Sequence, residues 1–270
     1  MYEAFYGLKE KPFSIQPDPD FLYFGRRHTL AFAMLEFGIQ NGAGFSVISG
    51  EIGCGKTTLI RHLLNQIGKN VTVGLVNNTS PDIHNMLEWI MLSFGQPYEG
   101  MSRVALYDAF QRFLIQQYSE GKSVLLIVDE AQNLGPAALE SLRMLSNINA
   151  DKHQLLQMIL VGQPQLRDLL KQPELKQFAQ RIAVDFHITP LSANEVQSYI
   201  DHRLKTAGRE APLFTSAACA MIATATKGIP RSINILCDTA LVYGFSAGSE
   251  RIDLALIKDV LNDKAEFGAL

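Results

Sequence analysis

A parallel α/β sheet flanked by helices, followed by a small all-helical domain, is the architecture this sequence predicts, and three observations predict it. Apolar runs of strand length alternate with amphipathic helical stretches through the first 190 residues. One of them, residues 124–128, is apolar without a break, as a strand covered on both faces by helices requires. After Pro190 no strand candidate of comparable strength remains. Alternating strands and helices build a doubly wound sheet that binds its ligand at the strands' carboxyl ends. The expected domains are 1–190, opening with an irregular lead-in over 1–27, and 191–270.

In the lead-in, Pro12, Pro17 and Pro19 stand among Phe13, Phe21, Tyr23 and Phe24, which predicts an ordered, irregular segment whose aromatics pack onto the body. Residues 28–40 place Leu30, Met34, Leu35, Phe37 and Ile39 at helical spacing and stop at Asn41-Gly42-Ala43-Gly44. Residues 45–49 then read as a strand, 57–67 as a helix capped by Gly68, Val71–Val76 as a second strand, and 81–94 and 106–118 as helices. The third strand is 124–128. Pro136 opens a helix where its missing N–H costs little, with Leu139, Leu142, Leu145 and Ile148 as the buried stripe. Strands follow at 155–161 and 182–188. Ser192 and Glu195 then make a capping box for a helix ending before Gly208. Helices at 216–226, 231–246 and 254–263 complete the second domain, the last behind Asp253 as N-cap.

At 270 residues and 47% hydrophobic content the chain can bury a sizeable core. A net charge of −3 offers no global attraction to nucleic acid or anionic lipid, so polyanion binding would have to be local. Cys54, Cys219 and Cys237 form no C-x-x-C pair, which argues against a disulfide framework and for a reducing cytoplasm. The six histidines lack metal-ligand spacing, so no transition metal is implied. The amino terminus lacks a secretory signal, and no stretch approaches the roughly 18 apolar residues a spanning helix needs. Any membrane association is expected through a partner or a segment outside this chain.

Residues 50–57, Gly-Glu-Ile-Gly-Cys-Gly-Lys-Thr, match the phosphate-loop pattern G-x-x-x-x-G-K-[ST] between a predicted strand and helix, the context that makes it a nucleotide site. Gly50, Gly53 and Gly55 let the backbone turn and aim N–H groups at phosphate oxygens, and Glu51, Cys54 and Thr58 share that cradle. Lys56 is expected to reach the β- and γ-phosphates of the nucleotide, and Thr57 to hold Mg²⁺. A helix amino terminus lowers a thiol pKa, which would make Cys54 reactive. Its other reading is a small side chain that the loop tolerates.

Asp129 and Glu130 end the run 124–128, placing two carboxylates at the strand's carboxyl edge. Asp129 is expected to bind Mg²⁺ through its water shell, and Glu130 to orient and deprotonate the attacking water. Gln163 ends the strand after it and can point into the same edge; a turn before Pro164 is the alternative. Arg181 precedes the last strand, where it is either an arginine finger or a solvated ion-pair partner. Arg231 sits in the first turn of a predicted helix, a place the helix dipole mildly disfavours for a cation, which gives it a claim to function. Asn77 and Asn78 end the second strand and are either turn residues or partners that hold Glu130 inactive.

In this order the pieces resemble an AAA+ P-loop ATPase: Walker A at 50–57, Walker B at 124–130, a sensor-1-like Gln163, a finger-like Arg181 and a sensor-2-like Arg231 within a helical lid. More narrowly, residues 6–13, 17–23 and His28, with Asp-Glu-Ala-Gln-Asn-Leu at 129–134 and Val-Gly-Gln-Pro-Gln-Leu at 161–166, are similar to the secretion-pathway A-protein ATPases of the ExeA/GspA type. That group includes ATPases associated with exosortase and pilus-assembly systems. The resemblance implies a cytoplasmic, Mg²⁺-dependent ATPase that binds ATP and ADP and helps install or regulate an envelope export machine. It also implies a nucleotide-dependent, ring-like oligomer in which Arg181 completes a neighbour's site. ExeA-type proteins typically continue into a transmembrane segment and a periplasmic part, which this chain does not include. A DNA-dependent ATPase of the transposition-helper type and a nucleotide-gated scaffold with little hydrolysis stay open as alternatives. The acidic balance weighs against nucleic acid as a partner.

Overall fold

The computed structural model describes residues 1–77, 86–150 and 153–267. In chain order the elements are α1 (Arg26–Gln40), β1 (Phe45–Gly50), α2 (Lys56–Gln66), β2 (Val71–Val76), α3 (Met86–Ser93), α4 (Arg103–Ser119), β3 (Ser123–Val128) and α5 (Pro136–Leu145). Then come β4 (Asn149–Ala150), β5 (His153–Gln154), β6 (Leu156–Gly162), α6 (Pro164–Leu170), α7 (Lys176–Ala179) and β7 (Ile182–Ile188). The chain closes with α8 (Ala193–Thr206), α9 (Ser216–Thr226), α10 (Pro230–Ser246) and α11 (Leu254–Phe267). The contacts divide the chain into a sheet unit, Leu30–Gly50 and Leu63–Ile188, and a helical unit, Met1–Thr29, Glu51–His62 and Thr189–Leu270.

The sheet unit holds five parallel strands in the order β2-β3-β6-β1-β7. The three inner strands β3, β6 and β1 are buried almost throughout, which is why 124–128 of β3 reads as an unbroken apolar run and β1 and β6 admit only Ser46, Ser49 and Gln157 as polar side chains. Their register pairs Val128 with Leu160 and Ser49 with Gly162. The carboxyl ends of β3, β6 and β1 therefore lie along one edge, and that edge carries Asp129 and Glu130, Gln163, and the chain leading out of Gly50. Phe45, Leu126, Leu160 and Phe178 belong to the core of this unit, as do Leu139, Leu142, Leu145 and Ile148 of the predicted α5 stripe. The helix expected at 81–94 is seen as α3, its first five residues lying outside the described ones. The short helices α6 and α7 and the β4–β5 hairpin are additions that the sequence does not predict.

The helical unit has its own core, in which lead-in residues Tyr2, Tyr6, Phe13 and Phe21 join Val196, Ile200, Ile222, Leu236 and Ile257. The lead-in aromatics, expected to pack onto the body, belong to the core of α8–α11. Polar ties strengthen this. The buried Arg203 donates through Nε to the Pro12 carbonyl at 2.6 Å, and its guanidinium lies 4.5 Å over the Phe21 ring. Asn234 donates to the Ser14 carbonyl at 3.0 Å. The capping box of α8 is formed, and Asp253 accepts from the Leu256 N–H at 3.0 Å as an N-cap does.

The connection from α9 to α10 turns through two left-handed residues, Lys227 at φ 51° and Gly228 at φ 72°. A Cβ on Gly228 would stand 2.0 Å from the Leu191 carbonyl oxygen, and Leu191 donates its N–H to the Gly228 carbonyl at 2.9 Å. Neither the turn nor its neighbour has room to shift without breaking that bond. Gly228→Ala is expected to destabilise the helical unit by about 2–3 kcal/mol and lower the melting temperature by about 5 °C or more. A thermal melt that matches wild type would show that the turn relaxes.

Candidate functional site

In the helical unit the phosphate loop turns through Gly53 at φ 81° and Gly55 at φ 89°, conformations open to glycine. A Cβ on Gly53 would come within 2.5 Å of the Arg231 Cβ, so the loop lies against the first turn of α10. The Arg231 N–H donates to the Gly53 carbonyl at 3.1 Å. Arg231 is exposed, at the second position of α10 behind Pro230. The helix α2 starts at Lys56, so Thr57 and Thr58, both half-buried, fall in its first turn, the positive end of the helix dipole, which suits an anion. Lys56 is buried, and its Nζ donates to the Glu51 carbonyl at 2.9 Å, folding the ammonium back over its own loop. Glu51 itself is exposed.

Of the two readings of Cys54, burial favours the small side chain that the loop tolerates. Its side chain is fully buried, and desolvation pushes the thiol up to about 11, overriding the lowering expected at a helix amino terminus. It is an inert, small side chain at the bottom of the loop. Its carbonyl meets a residue to which the sequence assigns no role: His28 Nε2 lies 2.8 Å from the Cys54 oxygen.

In the sheet unit, Glu130 follows β3 with φ 51° and ψ 37°, the left-handed region, although it is not glycine. For a glutamate this costs about 1–2 kcal/mol, which an ordinary strand end would not tolerate without return. The carboxylate oxygen Oε2 accepts from Gln132 Nε2 at 2.6 Å and from Gln163 Nε2 at 3.0 Å. Gln132 Oε1 in turn accepts from the Gln163 N–H at 2.9 Å. Asp129 Oδ1 accepts from the Glu130 N–H at 2.9 Å. The structure thus brings Asp129, Glu130 and Gln163 together and adds Gln132, whose only sequence signal is its place two residues past the acid. Asn78, weighed as a partner of Glu130, lies outside the described residues.

Arg181 is exposed, and its Nη1 donates at 2.7 Å to Ser146 Oγ, just past the carboxyl end of α5. A cation is favoured there by the helix dipole. Nearby, Arg143 grips Glu140 with both carboxylate oxygens engaged, at 2.8 and 2.9 Å from Nε. That pairing, helped by Arg181, holds the Glu140 carboxyl below its usual range. Arg181 therefore stands at the surface of the sheet unit, held by the end of α5.

A family profile described as an AAA domain matches residues 39–170, the stretch that carries the loop, both carboxylates and Gln163. General secretion pathway protein A of Aeromonas hydrophila is 42% identical over 253 residues, a match that takes in 93% of this chain. The chain belongs to the AAA+ P-loop family. It spans about half the length of that relative, 46% of it. The AAA+ fold is also seen in solved structures of low identity. Aeropyrum pernix ORC2, determined as ADPNP-ADP complexes, aligns at a TM-score of 0.65 with 19% identity, over 94% of this chain and 75% of its own. Thermotoga maritima RuvB, solved as a point mutant, aligns at 0.56 with 17% identity, over 91% of this chain and 72% of its own.

Proposed function

We propose that this AAA+ chain hydrolyses ATP to ADP and phosphate with Mg²⁺, as a self-associating module that assists a bacterial envelope secretion or export system. The observation that carries the reading is Glu130: a strained backbone and two amide donors aim one carboxylate at the sheet edge from which Gly50 leads into the phosphate loop. In this reading the loop N–H groups and Lys56 bind the phosphates, and Arg231 bears on them from α10. Glu130 takes a proton from the attacking water as its oxygen bonds to the γ-phosphorus and the bond to the bridging oxygen breaks, releasing ADP. Gln163 orients that water. Mg²⁺, when bound, would neutralise charge on the β- and γ-phosphates. Mg²⁺ takes few protein oxygens, and Thr57 and Asp129 are the residues that would hold it.

The secretion role, and with it a cytoplasmic place, is supported by similarity to the Aeromonas hydrophila protein. Arg181 would complete a neighbouring copy's site. Phosphate release from Mg·ATP, measured per chain across a wide concentration series, tests this. A specific rate that climbs with concentration and collapses in Arg181→Ala is expected. A concentration-independent rate indifferent to Arg181 removes the shared site, and no release at any concentration removes hydrolysis.

A further inference from the structure

A loop that turns its N–H groups toward an anion turns its carbonyls the other way, and each buried carbonyl then needs a donor. Three carbonyls of this loop have theirs. Glu51 accepts from Cys54 N–H at 3.2 Å and Lys56 Nζ at 2.9 Å, both within the loop. Gly53 accepts from the Arg231 N–H, a backbone group that any residue but proline supplies. Cys54 accepts from the His28 ring, a side chain from a different segment.

The chemistry of that last bond is fully determined. A carbonyl can only accept, so Nε2 carries the hydrogen. Nδ1 is buried with no partner and is therefore bare. His28 is 4% exposed, and desolvation lowers its pKa, so the ring is neutral with its one donor committed to the loop. A Cβ on Gly55 would approach Nε2 to 3.2 Å, which shows how closely the backbone and the ring are fitted. The ring is itself anchored. The Arg26 N–H, two residues earlier in the first turn of α1, donates to Glu195 Oε1 at 3.2 Å, and Glu195 Oε2 accepts from the Ser192 N–H at 3.0 Å in the capping box of α8. A run of hydrogen-bonded groups thus joins the start of α8, the start of α1 and the back of the phosphate loop.

We propose that His28 is a positioning residue that sets the shape of the phosphate loop by donating to the Cys54 carbonyl. The shape claim stands by itself; its consequence for affinity rests on the nucleotide reading above. His28→Phe keeps a ring of similar size without the donor, and His28→Gln puts an amide nitrogen near the place of Nε2. Amide hydrogen exchange across 51–57 in nucleotide-free protein reads the loop directly, thermal melts check folding, and titration with a fluorescent nucleotide displaced by ATP or ADP reads affinity.

In the Phe protein, loop exchange is expected to rise about tenfold while peptides of α8 and α10 keep wild-type protection, and affinities for ATP and ADP to fall together by about tenfold to a hundredfold. In the Gln protein both readouts stay within about threefold of wild type. A Phe protein with wild-type loop exchange, or a Gln protein as impaired as the Phe protein, overturns the proposal. If wild type binds neither nucleotide, the functional reading falls, and loop exchange still decides the role of His28.

Discussion

Glu130→Gln is expected to leave nucleotide binding within about twofold of wild type and to lower phosphate release by about 10²–10⁴-fold, the contribution of a positioned general base. The amide that replaces the carboxylate keeps an oxygen where Oε2 accepts from Gln132 and Gln163, so the surrounding geometry has no reason to collapse. What disappears is the ability to take a proton from water. Single-turnover phosphate release, paired with nucleotide titration, separates the two effects. Release within about threefold of wild type would remove Glu130 from the chemistry. A second substitution tests the strain. Glu130→Gly relieves the left-handed backbone and is expected to be equally inactive yet no less stable, because the cost at φ 51° vanishes with the Cβ. A glutamate kept where glycine would fold as well is kept for its carboxylate.

The parts of this site that were legible in the sequence are those that local chemistry fixes. The phosphate loop is written in consecutive residues because consecutive N–H groups must face one anion. β2 and β7 fall on the residues expected of them, Val71–Val76 and Ile182–Ile188, because strand length and β-branched content define them locally. Asp129 and Glu130 were found because an unbroken apolar run can end only at the sheet's edge. The capping box of α8 was legible for the same reason, its two partners being three residues apart.

What the sequence withheld depends on tertiary neighbours. Gln132 and Gln163 are 31 residues apart and meet only because β3 and β6 are adjacent in the sheet. His28 reaches Cys54, 26 positions further along the chain and beyond β1. The grouping of Glu51–His62 with the lead-in and α8–α11 is equally non-local, and a boundary drawn along the chain at 190 has no way to express it. Cys54 left two readings open for a different reason: helix position and burial act on a thiol with opposite sign, and sequence gives the first but not the second. α6 and α7 are too short for a helical period to show in sequence, at seven and four residues.

The second large effect is expected in Lys56→Ala, which should weaken ATP by about a hundredfold or more, close to 2.7 kcal/mol, and ADP by less. The ammonium is the loop's one full positive charge, and the γ-phosphate that ADP lacks carries much of the charge it would meet. Folding should survive the change, and the reason is visible in the loop's own hydrogen bonds. Lys56 there donates to the Glu51 carbonyl, and that oxygen also accepts from the Cys54 N–H at 3.2 Å, so truncating the lysine still leaves the Glu51 carbonyl a donor. The same accounting separates this variant from His28→Phe, where loss of the donor to Cys54 deforms the cradle and weakens both nucleotides alike. Titrations of ATP and ADP against the two variants therefore distinguish charge from shape. An ATP-to-ADP affinity ratio that falls in Lys56→Ala and holds in His28→Phe assigns the charge to Lys56 and the geometry to His28. Equal losses of ATP and ADP in Lys56→Ala would place its ammonium on phosphates common to the two, away from the γ-phosphate.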